Sequence, residues 1–183
     1  HGGIHHHNGF LNINGIFEER FDIILTNPPF GAKVEASHKV ERTGPTPEAE
    51  RRYTDEYGDL YRDSQNRVTQ KLNDPIATLF TLPKIEKRSD GSYKGATDTE
   101  ILFIERCLSL LKPGGRLGIV LPEGIFNNPS LAYVREYAED QAQILAVVSL
   151  PADTFKASKA SVKASLLFLR KRTNDELALY NVA

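Results

Sequence analysis

The 183 residues contain no methionine and a single cysteine, Cys107. One thiol cannot close an internal disulfide, which excludes the disulfide-stapled secreted class and suits a reducing, cytoplasmic setting. Cys107 falls in an apolar-rich stretch, where a thiol behaves as a small core residue rather than a nucleophile. Long apolar runs are also missing. None approaches the roughly 20 residues needed to cross a bilayer, and no basic segment followed by an apolar one opens the chain, so neither a membrane span nor a secretion signal is expected. Charge of one sign is lacking too: 23 Lys and Arg stand against 24 Asp and Glu, a net charge of −1. The chain is therefore not, by itself, a body that draws in polyanions. With 40% hydrophobic and 26% charged residues, the composition is that of an ordinary globular α/β domain.

The most informative segment is the apolar run Phe21–Thr26 stopping at Asn27-Pro28-Pro29-Phe30. Ile23, Ile24 and Leu25 are apolar at consecutive positions, which predicts a strand buried on both faces, as in a parallel sheet. Two prolines remove two backbone donors and fix φ, so the ladder cannot continue, and Asn27 is held extended by the proline after it. The strand end becomes a short rigid loop where open α/β sheets place their ligands. The Asn27 side-chain oxygen and the Pro28 carbonyl are acceptors. Two such acceptors match the two hydrogens of an aromatic NH₂ group and favour a more tetrahedral nitrogen whose lone pair is free to attack. Phe30 offers a flat apolar face for the ring. No covalent intermediate is needed, and so no catalytic cysteine.

Asn-Pro-Pro-Phe after an apolar strand resembles the catalytic motif of S-adenosylmethionine-dependent amino-methyltransferases, chiefly DNA adenine-N6 methyltransferases. Thr97-Asp98-Thr99-Glu100 with the helix after it, Leu110-Leu111-Lys112-Pro113-Gly114-Gly115-Arg116-Leu117-Gly118-Ile119-Val120-Leu121-Pro122-Glu123-Gly124, Leu150-Pro151 and Lys163–Leu169 are similar to the modification subunit of type I restriction-modification systems. The resemblance covers roughly residues 20–31 and 96–172. It implies transfer of a methyl group to N6 of an adenine flipped from DNA. In that reaction Asn27 and Pro28 hold the amine, Pro29 stiffens the loop and Phe30 stacks on the base. It implies S-adenosylmethionine as cofactor, and as partners double-stranded DNA, a specificity subunit and, in restriction complexes, a nuclease-translocase subunit. Family members bind the cofactor on Asp-Pro-x-x-Gly-Ser-Gly after an earlier strand. No such string is present here, so Asn27 is the one residue assigned beside the cofactor. This absence and the lack of methionine lead to the expectation of a fragment: residues 1–183 as a partial catalytic domain, the C-terminal half of a doubly wound sheet, mostly parallel with an antiparallel edge hairpin.

The remaining organisation follows from local pattern. Residues 32–95 read as a polar, irregular insertion, mobile until it meets DNA or a partner, with a helix from about Pro47 to Tyr61. Thr97 and Glu100 have capping-box spacing. Ile101, Ile104, Leu108 and Leu111 recur at helical period with Glu105 and Ser109 opposite, and Pro113-Gly114-Gly115 is expected to end that helix. Leu117–Leu121 reads as a buried strand and Leu131–Tyr137 as a helix. Ile144–Leu150 and Ser165–Leu169 are joined by too short a link for a crossover helix, which predicts an antiparallel pair.

Other residues admit more than one reading. His5-His6-His7 lacks the separated spacing of a metal site, and no metal is expected. Tyr53, Tyr57 and Tyr61, near Arg51, Arg52, Arg62 and Arg67, form either a packing stripe or a nucleic-acid face, packing being favoured. Glu123 is either a site residue or a turn residue. Two other functions stay open: methylation of a protein glutamine or RNA amine, and a non-catalytic assembly module that keeps the fold.

Overall fold

The computed structural model describes residues 9–11, 16–41, 46–155 and 162–180; His5–His7 lie outside them. In chain order the elements are β1 (Phe21–Thr26), β2 (Lys33–Glu35), α1 (Pro47–Tyr57), α2 (Asp59–Gln70), a 3₁₀ turn (Ile76–Leu79), β3 (Glu86–Lys87), β4 (Tyr93–Lys94), β5 (Ala96–Asp98), α3 (Thr99–Leu110), β6 (Leu111–Pro122), α4 (Gly124–Asn127), a second 3₁₀ turn (Pro129–Leu131), α5 (Ala132–Gln141), β7 (Ala142–Ser149), β8 (Ala164–Lys171) and α6 (Asn174–Tyr180).

The main sheet has the order β1-β6-β8-β7. β1 runs parallel to β6, and β8 runs antiparallel to both β6 and β7. The expected edge hairpin is therefore present, with β7 outermost. α3 and α5 cover one face. Ile101, Ile104 and Leu108 of α3 and Val134 and Ala138 of α5 pack on Leu117, Ile119 and Leu121 of β6 and on Leu167 and Leu169 of β8.

The expectation that β1 is buried on both faces does not hold. It is the other edge strand among the described residues; Ile24 reaches the core, while Ile23 is 64% and Leu25 77% exposed. Leu25 and Phe168 close over Gly118, where a Cβ would sit 2.7 Å from the Leu25 side chain. The second face of the sheet is thus apolar and closely fitted within itself, but α3 and α5 lie on the other side. Consecutive apolar residues report the strand's preference for burial, not the element that supplies it.

Two boundaries around α3 also differ from expectation. Thr97 lies in β5 opposite Val34, α3 starts at Thr99 behind Asp98, and the start has no side-chain cap, so the capping box does not form. The backbone of Thr97, three residues before Glu100, is taken into the β2–β5 ladder instead. At the other end α3 stops at Leu110 and β6 begins at once. Phe21 stands opposite Leu111 and Ile23 opposite Arg116, so Pro113-Gly114-Gly115 forms a bulge inside β6 rather than the helix terminus.

The described part of residues 32–95 is not irregular. Its helix is longer than expected and breaks at Gly58 into α1 and α2. Val34, Val40, Val68 and Ile76 join Leu11 and Leu102 in a second apolar cluster, and Tyr53 and Tyr61 join Phe17 in a third. The apolar residues are spaced too widely for a local period to reveal them, yet the second cluster closes on Leu102 of α3. Glu105 and Arg106 consequently face an interior. Glu105 accepts from the Thr81 amide at 2.7 Å and the Leu82 amide at 2.9 Å, and Arg106 donates to the Gly9 and Leu11 carbonyls.

Candidate active site

β1, β6 and β7 all end at the same side of the sheet, because β8 is antiparallel to both β6 and β7 and β1 is parallel to β6. That side carries Asn27–Gly31, Glu123 and the turn Leu150–Phe155. Thr26, opposite Ile119, is the last paired residue of β1. After it the chain leaves the ladder as the prolines dictate. Asn27 and Pro29 are exposed, Pro28 is buried and Phe30 is half-buried. Asn27 thus offers its amide to solvent from a backbone anchored on both sides, by β1 before it and the buried Pro28 ring after it. Gly31 turns the chain with φ +70°, a region that L side chains adopt at a cost.

The sequence reading missed Phe155. Its ring stands 6.0 Å from that of Phe30 at an interplanar angle of 86°, an edge-to-face arrangement favoured by the aromatic quadrupoles. The turn that delivers it is held by the Thr154 amide and hydroxyl, which donate to the Pro151 carbonyl at 3.0 and 2.7 Å. The signal was in the sequence: Leu150-Pro151 ends an apolar strand as Asn27-Pro28 does, with an aromatic four residues on.

Glu123 does not join the loop. Its carboxylate accepts from the Ser165 hydroxyl at 3.1 Å and lies 3.9 Å from Lys163, so it ties the end of β6 to the start of β8. The tyrosine stripe is a packing stripe: Tyr61 is buried and Tyr53 nearly so, both against Phe17. Arg62 pairs with Asp59 and Arg67 with Glu18 at 3.1 Å. Glu18 precedes β1, so this pair sits by the start of that strand, at the end away from Asn27. Among the described residues no cluster of His, Cys, Asp and Glu is suited to a metal ion, and no helix is long and apolar enough to cross a membrane.

Burial shifts the titration of several groups, and two of the shifts have direct consequences. Burial pushes the Cys107 thiol up to about 12. At pH 8 the thiolate fraction is then about 10⁻⁴. Native protein should react with a thiol reagent only at the rate at which it opens, and labelling should become immediate in denaturant; fast labelling of folded protein would contradict the buried placement. Glu100 is 7% exposed, and its Oε2 has no hydrogen-bond partner among the described residues. Burial, with Asp98 nearby, raises its pKa. The folded state therefore holds this proton more tightly than the unfolded chain. Its contribution is favourable below the ordinary carboxylate range and is lost as pH rises through the raised value. Glu100→Leu should raise the melting temperature more at pH 8 than at pH 4, measured by thermal unfolding across pH; an equal shift at both would refute the assignment.

The comparisons with known proteins bear on this arrangement. Residues 78–182, more than half of the chain, match the model of the family described as N-6 DNA Methylase. The chain belongs to the N-6 DNA methylase family. The matched region holds α3, β6, β7 and β8 and the Leu150–Phe155 turn, and does not extend to Asn27–Phe30. The protein called defense against restriction protein B, from Escherichia phage P1, is 29% identical over 82 residues, which are 45% of this chain and 4% of that protein. Among solved structures, a chain from work on complex assembly and conformational transition of the type I R-M system is 28% identical, with a TM-score of 0.47 over 84% of this chain and 22% of that one. The type I restriction enzyme EcoKI M protein is 17% identical, with a TM-score of 0.46 over 87% of this chain and 22% of that one. A putative class I S-adenosylmethionine-dependent methyltransferase from Listeria monocytogenes is 21% identical with a TM-score of 0.40, over 63% of this chain and 42% of that one. This chain thus spans less than half the length of each of these relatives.

Proposed function

We propose that this chain holds the acceptor amine in a DNA methyltransferase that transfers a methyl group to N6 of an adenine flipped from the duplex. We place that enzyme in a type I-like restriction-modification system. The observation that carries the reading is the rigid Asn27–Phe30 loop at the end of β1, its Phe30 braced edge-on by Phe155, in a member of the N-6 DNA methylase family. Adenine N6 is paired within the stack in duplex DNA, so the base must leave the helix to be reached. The Asn27 Oδ1 and the Pro28 carbonyl then accept from its two N–H groups. These bonds strengthen as the nitrogen pyramidalises, so they act mainly in the transition state. Phe30 supplies the stacking face.

The reading implies S-adenosylmethionine, which when bound supplies an electrophilic methyl group. On this reading Asn27, exposed at the end of β1, is the residue assigned beside the approaching methyl. Among the described residues no strand pairs with the outer edge of β1, and Ile23 and Leu25 on it are exposed. What the chain's own residues supply is the acceptor side. Double-stranded DNA and a specificity subunit are the partners this reading implies, joined by a nuclease-translocase subunit in restriction complexes. With Arg67 engaged at the far end of the sheet, much of the phosphate contact falls to those partners.

The test is methylation by the intact protein with its partner subunits, followed by digestion of the DNA. Label in N6-methyladenine supports the reading; label in protein glutamine, or none, overturns it. In the same assay Phe30→Ala should weaken base capture about 5- to 100-fold, the worth of one base–aromatic stack. Phe155→Ala should cost less, about 2- to 5-fold, since it acts through the Phe30 ring. Equal, negligible effects would remove both rings from the site.

A further inference from the structure

α3 begins without a cap of its own. Asp98 precedes it, but no Asp98 side-chain bond reaches the helix amides; its carboxylate faces Lys33 at 3.6 Å instead. The Ala32 carbonyl takes the cap's place. It accepts from the Thr99 amide at 3.0 Å and from the Thr99 hydroxyl at 2.6 Å. Thr99 is 6% exposed. Ala32 stands two residues beyond Phe30, immediately after the left-handed turn at Gly31. Beyond Ala32 the chain enters the β2–β5 ladder, with Lys33 opposite Asp98 and Val34 opposite Thr97. The six residues from Asn27 to Ala32 are therefore pinned at both ends, by the β1–β6 ladder on one side and by Thr99 on the other. A carbonyl oxygen has two lone pairs; with both engaged by one residue, the peptide plane at Ala32 cannot rotate without losing a bond.

We propose that Thr99 is a positioning residue for methyl transfer. By gripping the Ala32 carbonyl with its amide and its hydroxyl, it sets the Gly31 turn and so the angle at which Phe30 and Asn27 meet the flipped base. The proposal rests on the reading of Asn27–Phe30 as the amine-holding loop. Thr99 touches no substrate; it works by holding the loop in its productive shape before the base arrives, which saves ordering cost at capture. The helix start and the loop are thereby one unit, since the loop satisfies the helix's free amide.

The test compares Thr99→Val, which keeps the branched shape and the amide bond but removes the hydroxyl, with Thr99→Ser, which restores it. Both are made in the intact protein with its partner subunits. Base capture is read from the fluorescence of 2-aminopurine at the target position, alongside kcat, KM for DNA and thermal unfolding. Thr99→Val should lower kcat/KM for DNA about 3- to 10-fold and dim the 2-aminopurine signal, while the melting temperature falls by only about 2–5 °C, the worth of one hydrogen bond. Thr99→Ser should return to within about twofold of wild type. Wild-type turnover and signal in Thr99→Val would overturn the proposal. So would a loss that serine does not rescue and that follows a fallen melting temperature. Gly31→Ala strains the same turn from the loop side, since its φ is +70° and the space around it is open. If Thr99→Val does not fold, wild-type base capture by Gly31→Ala overturns the proposal in its place. Asn27→Ala separates the two levels. If it retains turnover, the loop reading fails and Thr99 with it; if it is inactive while Thr99→Val is normal, only the Thr99 assignment falls.

Discussion

Replacing Asn27 by alanine in the intact protein is expected to lower methyl transfer about 10²- to 10³-fold, the range seen when one preorganised hydrogen-bonding group is taken from a transition state. Folding should be unaffected, because Asn27 is exposed and lies beyond the last ladder pair of β1. The acceptor oxygen matters late in the reaction. In the proposed reaction the adenine amine begins planar with its lone pair spread into the ring, and its two hydrogens approach Oδ1 and the Pro28 carbonyl only as the nitrogen becomes tetrahedral. The loss should therefore appear in kcat, with KM for DNA little changed, since stacking on Phe30 is untouched. Asn27→Asp keeps an acceptor at the same place and should retain more activity than alanine. Single-turnover methylation of a duplex carrying one target adenine measures both. Wild-type turnover by Asn27→Ala would end the assignment of this loop to the chemistry.

That loop was legible in the sequence because its information is local. Asn27-Pro28-Pro29-Phe30 states in four residues that a strand ends, that the backbone is stiff, and that two acceptors and a ring stand together. The β7–β8 hairpin was legible for a similar reason: the link between two apolar runs is too short for a crossover. What could not be read depends on residues far apart in the chain. Phe155 meets Phe30 across 125 positions, and only the shared direction of β1 and β7 brings them to one end of the sheet. The capping-box pattern at Thr97 and Glu100 failed for a comparable reason, since β2 claims Thr97 for a ladder that no helix-based rule anticipates. The insertion looked irregular because its apolar residues, Val34, Val40, Val68 and Ile76, follow no common period and are sorted only by packing near Leu102.

The bond that holds the insertion to the sheet layer predicts the largest loss of stability among the substitutions considered. Glu105 reaches out of α3 to the segment before β3, where its carboxylate accepts from the Thr81 amide at 2.7 Å, the Thr81 hydroxyl at 3.0 Å and the Leu82 amide at 2.9 Å. The side chain is 8% exposed, so these donors have little water to turn to. Glu105→Ala leaves them without an acceptor and should cost about 2–4 kcal/mol, more than one ordinary hydrogen bond because unpaired groups remain behind. For a chain of this size that is a fall of about 5–15 °C in melting temperature. Glu105→Gln should fall between, since one amide then faces the glutamine NH₂ rather than an oxygen. The exposed Glu136 on α5 is the control, and its replacement by alanine should change little. The consequence for the site runs along the chain: the same insertion begins at Ala32 and returns through β5 to Thr99. Freeing it at Thr81 and Leu82 loosens one anchor of the loop that carries Phe30. Glu105→Ala assayed below its melting temperature should therefore lose base capture as well as stability. Unchanged melting in Glu105→Ala would show that the insertion is held by its apolar clusters alone and that the carboxylate contributes nothing net.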